Sequence, residues 1–230
     1  VLEVNYRYLE NARPETPWDK DAQHALARKL AAECMVLLKN DGLLPLAEGE
    51  RVAVIGRFAK EPRFQGGGSS HINSFKVTSL IDALGGAPGI TYADGYRIDR
   101  DDIDEAMIRE AVEIASAAGC AVIVAGLPDA FESEGYDRTH MRMPACQEAL
   151  IERVAKANPN TVVVLYNGSP IEMPWIGSVR AVIEAYLGGQ AVGGATADVL
   201  FGRQNPCGKL PETFPLRMEH NPSYLSYGGE

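Results

Sequence analysis

The sequence predicts an α/β fold, a three-layer α/β/α sandwich with a mostly parallel sheet of five or six strands. Three observations predict it. Short runs such as Ala121–Gly126 (AVIVAG) and Thr161–Tyr166 (TVVVLY) are apolar throughout, without polar alternation. Strands buried on both faces of a parallel sheet read this way. Helical segments separate these runs, the order expected of β-α-β units. The composition is also that of a globular chain, with 46% apolar and 23% charged residues in 230.

The elements follow in order. Residues 1–17 hold a short apolar segment, Val1–Leu9, then a polar stretch with Pro14 and Pro17. They read as the tail of something upstream followed by a linker. Asp19 or Asp21 is placed to cap a helix running to about Lys39, with Leu26, Leu30, Met35 and Leu38 roughly on one face. Asn40-Asp41-Gly42 would close it. Arg51–Gly56 (RVAVIG) is a short strand, Val77–Leu84 a short helix and Ile90–Ala93 a second strand. Ile103–Ala118 is a helix whose acidic first turn suits the helix dipole. After the strand Ala121–Gly126 comes the helix Ala145–Ala157, ended by Asn158-Pro159. Thr161–Tyr166 and Val179–Leu187 are strands, and Val192–Phe201 is a helix ending at Gly202. Asn205–Glu230 shows no clear element and stops without a capping signal, and 218–230 reads as a truncated tail.

Bulk properties exclude several function classes. The formal net charge is −9 with no long basic run, which repels phosphate backbones and argues against nucleic acid. A neutral substrate such as a sugar is indifferent to that field. No apolar run approaches the ~20 residues of a membrane helix. No signal peptide opens the chain, so a cytoplasmic location is the expectation, with little weight because Val1 is not an initiator methionine. Cys34, Cys120, Cys146 and Cys207 are scattered and form no C-x-x-C pair, so neither a disulfide framework nor a zinc site is expected.

Ligands of an open parallel sheet bind beyond the carboxyl ends of its strands. Three loops leave that edge. The first runs from Gly56 to about Ser74 and contains Gln65-Gly66-Gly67-Gly68-Ser69-Ser70-His71. The second runs from Gly126 to Pro144 and contains Phe131-Glu132-Ser133-Glu134-Gly135-Tyr136-Asp137-Arg138. The third contains Asn167-Gly168-Ser169-Pro170. The first two are far longer than the usual two to six residues, which marks them for function.

The glycine run lies too far after its strand for a phosphate turn, and it lacks the G-x-G-x-x-G and G-x-x-x-x-G-K-[ST] spacings. It reads either as a flexible surface loop or as a mobile cleft wall. The acids of the second loop are either solvated charges or a general acid whose pKa the neighbouring Phe131 and Tyr136 raise. Asp137 and Arg138 read as an ion pair holding the loop. His24 is most simply an exposed helix residue. His71 and His140 lack paired metal-ligand spacing, so no metal and no cofactor are expected. Ser69, Ser70 and Ser169 have no G-x-S-x-G elbow, which excludes a serine triad.

Four stretches then fall in register. They are Val36–Leu46 (VLLKNDGLLPL), Gln65–Ser70 (QGGGSS), Glu132–Arg138 (ESEGYDR), and Gly188-Gly189-Gln190 followed by Ala197–Gly202 (ADVLFG) and Asn205–Pro215 (NPCGKLPETFP). Together they resemble the C-terminal α/β-sandwich domain of family 3 glycoside hydrolases, over about 18–217. The resemblance implies a retaining, exo-acting β-glycosidase, similar to β-glucosidases and β-xylosidases, acting on terminal β-linked sugars. It implies that an N-terminal TIM-like barrel supplies an aspartate nucleophile while this domain lends the acid/base. The acid/base then falls on Glu134, with Glu132 as fallback. Ser69, Ser70, His71 and Arg138 become the expected substrate-binding residues.

The barrel is missing from these 230 residues. Residues 1–17 thus read as a linker from it, with 218–230 beyond the domain. The isolated chain is expected to be inactive and prone to self-association through its open barrel-facing surface. The rival reading is a flavodoxin-like regulatory module that binds a nucleotide or flavin without catalysis. A third is a structural domain that shapes a cleft without chemistry.

Overall fold

The computed structural model describes residues 1–13 and 17–226. The linker expected around Pro14 and the last four residues of the tail lie outside the described residues.

The fold is the expected three-layer sandwich. Six strands form one sheet: β1 (Val36–Asn40), β2 (Val52–Ile55), β3 (Ile90–Ala93), β4 (Cys120–Gly126), β5 (Thr161–Tyr166) and β6 (Ala181–Glu184). Their spatial order is β1-β6-β5-β4-β2-β3. All neighbours run parallel except the edge pair β1–β6. Every residue of β2, β4, β5 and β6 is buried, which explains their largely apolar sequences, with Thr161 opening β5 and Glu184 closing β6 as the exceptions.

The helices are α1 (Leu2–Glu10), α2 (Lys20–Cys34), α3 (Leu80–Leu84), α4 (Glu105–Ala117), α5 (Ala145–Ala157) and α6 (Val192–Leu200). Helices α4 and α5 pack together on one face of the sheet, while α2 and α3 pack on α6 in the other layer. Local chemistry sets their starts. The Asp19 side chain accepts from Ala22 N–H at 3.0 Å and caps α2. Ser79 and Asp82 form a reciprocal capping box on α3, and Asp104 caps α4. The α6 layer is joined to the sheet by a buried hydrogen bond of 2.9 Å between the hydroxyls of Tyr166 and Thr196.

Three expectations are corrected. Helix α2 stops at Cys34, and Val36–Asn40 is a strand instead of the helix's last turns. Met35 is already extended, with φ −61° and ψ 141°, and antiparallel pairing with β6 takes up the backbone. Pairing decides here over local helical spacing. His24 is buried: its ring bridges Thr78 Oγ1 at 3.0 Å and Gln190 Nε2 at 2.9 Å. Burial, followed by the charge of Lys76, lowers its pKa. Strand β6 is shorter than read because Tyr186, at φ 53°, turns the chain away. The opening segment forms α1, which buries none of its residues and exposes Leu2, Val4, Tyr6, Tyr8 and Leu9.

Candidate active site

Strand β3 lies on one side of β2 and β4 on the other, so the chain reverses direction across the sheet between β2 and β4. Crevices at such switch points bind ligands in open α/β sheets. The two long loops leave the sheet here. Gly126, the last residue of β4, has φ 149°, and a Cβ there would lie 2.1 Å from Tyr166 O. Glycine therefore lets the acidic loop depart while hugging β5.

The two loops meet at Glu134. Its carboxylate Oε2 accepts from the backbone N–H of Ser69 at 2.6 Å. The donor sits in a single 3-10 turn, Gly68–Ser70. Gly68 has φ 84°, and a Cβ on it would lie 2.5 Å from Glu134 Cβ and 2.7 Å from Oε2. The glycine run is thus the seat of a carboxylate. This also disfavours the nucleotide reading, because the N–H that a phosphate would need already serves an anion.

Glu134 is exposed at the rim. Hydrogen bonding from Ser69, by its side chain and its backbone N–H, holds the Glu134 pKa below the usual glutamate value. The pKa-raising effect expected from Phe131 and Tyr136 is not found. Both aromatic rings turn elsewhere: Phe131 packs edge-on to His140 at 6.2 Å, and the Tyr136 hydroxyl donates to Asp129 O.

Glu132 has a different environment. Its side chain is 17% exposed and fully engaged. Arg63 Nη1 donates to its Oε2 at 2.5 Å, Gly168 N–H donates to the same oxygen at 2.8 Å, and the Ser169 hydroxyl donates to Oε1. Arg63, with a 5% exposed side chain, also donates to Glu132 O, Leu127 O and Asp129 Oδ1. Breaking a buried pair of this kind costs about 3–5 kcal/mol, because the remaining charge is stranded.

The other expected residues divide between rim and frame. Ser69 touches Glu134, and the Ser70 hydroxyl points back to Gly67 O at 3.4 Å. His71 is exposed on a cleft of about 370 Å³, with Phe58, Phe64 and Pro128 among its walls. Gln65 closes the base of this loop through both its amide atoms, bonded to the backbone of Ile72. Arg138 does not pair with Asp137. Its Nη1 donates to Ser169 Oγ and Pro170 O, each at 2.9 Å, and burial lowers its pKa. It lines a second cleft of about 680 Å³ with Met141, Thr213 and His220.

Two functional-looking residues escaped the sequence reading. Arg63 is a lone arginine in a loop, and nothing local announces its partners. Glu184 ends β6 fully buried, where Asn167 Nδ2 and Tyr186 N–H donate to its carboxyl at 3.0 and 2.9 Å. Burial pushes its pKa up to about 8. Its signal was visible, since an acid closing an apolar strand is unusual. Among the described residues, no cluster of three or more His, Cys, Asp or Glu is arranged to hold a metal, and no helix is long and apolar enough to cross a membrane.

Residues 35–229 match the model of the glycosyl hydrolase family 3 C-terminal domain. The chain belongs to this family. It is 54% identical to thermostable beta-glucosidase B of Acetivibrio thermocellus, aligned over all of this chain and 31% of that protein. It is 46% identical to an exo-alpha-(1->6)-L-arabinopyranosidase of Bifidobacterium longum, over 93% of this chain and 30% of the relative. A crystal structure of a Bifidobacterium adolescentis GH3 beta-glucosidase superposes with a TM-score of 0.91 at 43% identity, covering 95% of this chain and 33% of that one. The family 3 chain thus spans about a third of the length of these relatives, and the part it matches is the family's C-terminal domain.

Proposed function

We propose that the whole protein is a retaining β-glycosidase, similar to β-glucosidases, that releases terminal β-linked sugars. In this reading Glu134 is its general acid/base and an upstream barrel carries the aspartate nucleophile. The observation that carries this is the exposed Glu134 carboxylate, seated on the Gly-rich loop at the switch point of the sheet. A carboxyl that works on a neighbouring module's substrate must stand clear of its own domain, as this one does.

The mechanism follows from the pair of carboxyls. A retaining enzyme sets them about 5–5.5 Å apart across the scissile bond. The nucleophile attacks the anomeric carbon while Glu134 protonates the leaving oxygen. Glu134 then deprotonates the water that releases the sugar. The two steps need opposite charge states. Docking against the barrel desolvates Glu134 and brings a second carboxylate near, and both effects raise its pKa. Once the nucleophile is esterified its charge is gone, and the Ser69 bonds favour the ionised base needed next. Ser69, Ser70 and His71 form the substrate-facing rim, and Arg138 serves the site through the Ser169–Pro170 loop that it holds.

The test compares the 230-residue chain with the whole protein on aryl β-glycosides and cellobiose-like disaccharides. Hydrolysis by the whole protein alone, with retained anomeric configuration, fits the reading. Robust hydrolysis by the isolated chain contradicts it.

A further inference from the structure

Glu134 sits on a loop, yet acid catalysis needs it held within fractions of an ångström. A misplacement of about 1 Å can cost about 10²-fold in rate. Its own side chain has one partner, the exposed turn at Ser69. Rigidity must therefore come from what grips the loop around it, and two residues earlier lies the most heavily bonded carboxylate of the described residues.

We propose that Arg63 and Glu132 are the positioning residues of the acid/base, locking the three loops of the switch-point edge into one frame. The proposal rests on the reading of Glu134 given above. Arg63 belongs to the first loop, three residues before the glycine run. Its guanidinium binds the second loop at Leu127 O, Asp129 Oδ1, Glu132 O and Glu132 Oε2. Glu132 in turn binds the third loop at Gly168 N–H and Ser169 Oγ. Arg138 completes the frame by returning from the second loop to Ser169 and Pro170. The contact between the first two loops is close: a Cβ on Gly67 would lie 2.5 Å from Ser133 Oγ. Ser133 is thus fixed between Glu132, held by Arg63, and Glu134, held by Ser69.

The pair has no means of acting as the acid itself. Both carboxylate oxygens of Glu132 are taken by donors, and its side chain is 17% exposed. A guanidinium is required in place of an ammonium, because four acceptors on one loop are matched by a planar fork.

The experiment uses the full-length enzyme with Glu132→Gln, Arg63→Lys and Ser169→Ala, beside Glu134→Ala. Each is assayed on a disaccharide with a poor leaving group and on a dinitrophenyl glycoside, across pH and with added azide. A displaced acid predicts a loss of about 10- to 100-fold on the disaccharide but only a few-fold on the activated glycoside. The alkaline limb of kcat/KM, which reports the acid, shifts to lower pH, and no glycosyl azide forms. Ser169→Ala strands no charge, so it carries the same comparison if Glu132→Gln does not fold. Unchanged kinetics, or equal losses on both substrates with an unmoved alkaline limb, overturns the proposal. Glycosyl azide formed by Glu132→Gln, with Glu134→Ala still active on the disaccharide, overturns the reading of Glu134 itself and makes Glu132 the acid.

Discussion

The backbone N–H of Ser69 donates to Glu134 Oε2 at 2.6 Å, and this bond joins the two longest loops at the carboxyl edge of the sheet. It stabilises the charged carboxylate, so the isolated family 3 domain holds its candidate acid in the base form.

A titration checks this directly. Carboxyl-carbon NMR of the isolated chain is expected to place the Glu134 pKa below the ordinary glutamate value. Ser69→Ala keeps the backbone donor but removes the hydroxyl, and should move that pKa part of the way back up. The sign follows from linkage: a depressed folded pKa adds stability above the unfolded pKa of about 4.3, lost as pH falls through the folded value. Ser69→Ala should therefore reduce stability near neutrality more than at acid pH, by a small amount because the group is exposed.

Gly68→Ala tests the seat itself. The substitution strains a backbone at φ 84° and drives a methyl against Glu134. We expect a stability loss of about 1–3 kcal/mol in thermal melts. In the full-length protein, turnover of disaccharides should fall about 10- to 100-fold with a smaller change for activated glycosides. A variant with normal melting and normal turnover would show that the close approach is unimportant.

Glu184 makes the protein's stability depend on pH in the opposite sense. Its folded pKa is raised to about 8 by burial, above the unfolded value of about 4.3. The folded state therefore keeps a proton that the unfolded chain has lost between these limits. Stability is full below about pH 4 and declines as pH rises to about 8, by at most ~1.4 kcal/mol per pH unit. Glu184→Gln should flatten that decline in denaturant unfolding measured at pH 5 and pH 8. An unchanged slope would show that Glu184 titrates normally.

Much of the fold was legible because burial wrote it locally. Helix α5 and strand β5 have the predicted bounds, since an apolar run between two turn signals leaves little choice. Strand β1 was not legible. Val36, Leu37 and Leu38 continue the helical spacing of α2, and only pairing with β6, some 145 residues later, makes them a strand. Separation in sequence also hid the partners of His24, 54 and 166 residues away at Thr78 and Gln190, and those of Arg63, 64 to 69 residues away at Leu127, Asp129 and Glu132. The acidic loop was legible as a site by length and composition. Which of its glutamates stays exposed was not, because three hydrogen-bond donors to Glu132 come from other loops.

The central claim is that Glu134 gives and takes the catalytic proton. It is tested most directly by Glu134→Ala in the full-length enzyme, assayed on an activated aryl β-glycoside with and without sodium azide. We predict that the variant forms its glycosyl-enzyme but releases it slowly. Azide should restore turnover and yield a β-glycosyl azide, while cellobiose-like substrates stay nearly inert. Full activity on those disaccharides, with no azide product, would contradict the account.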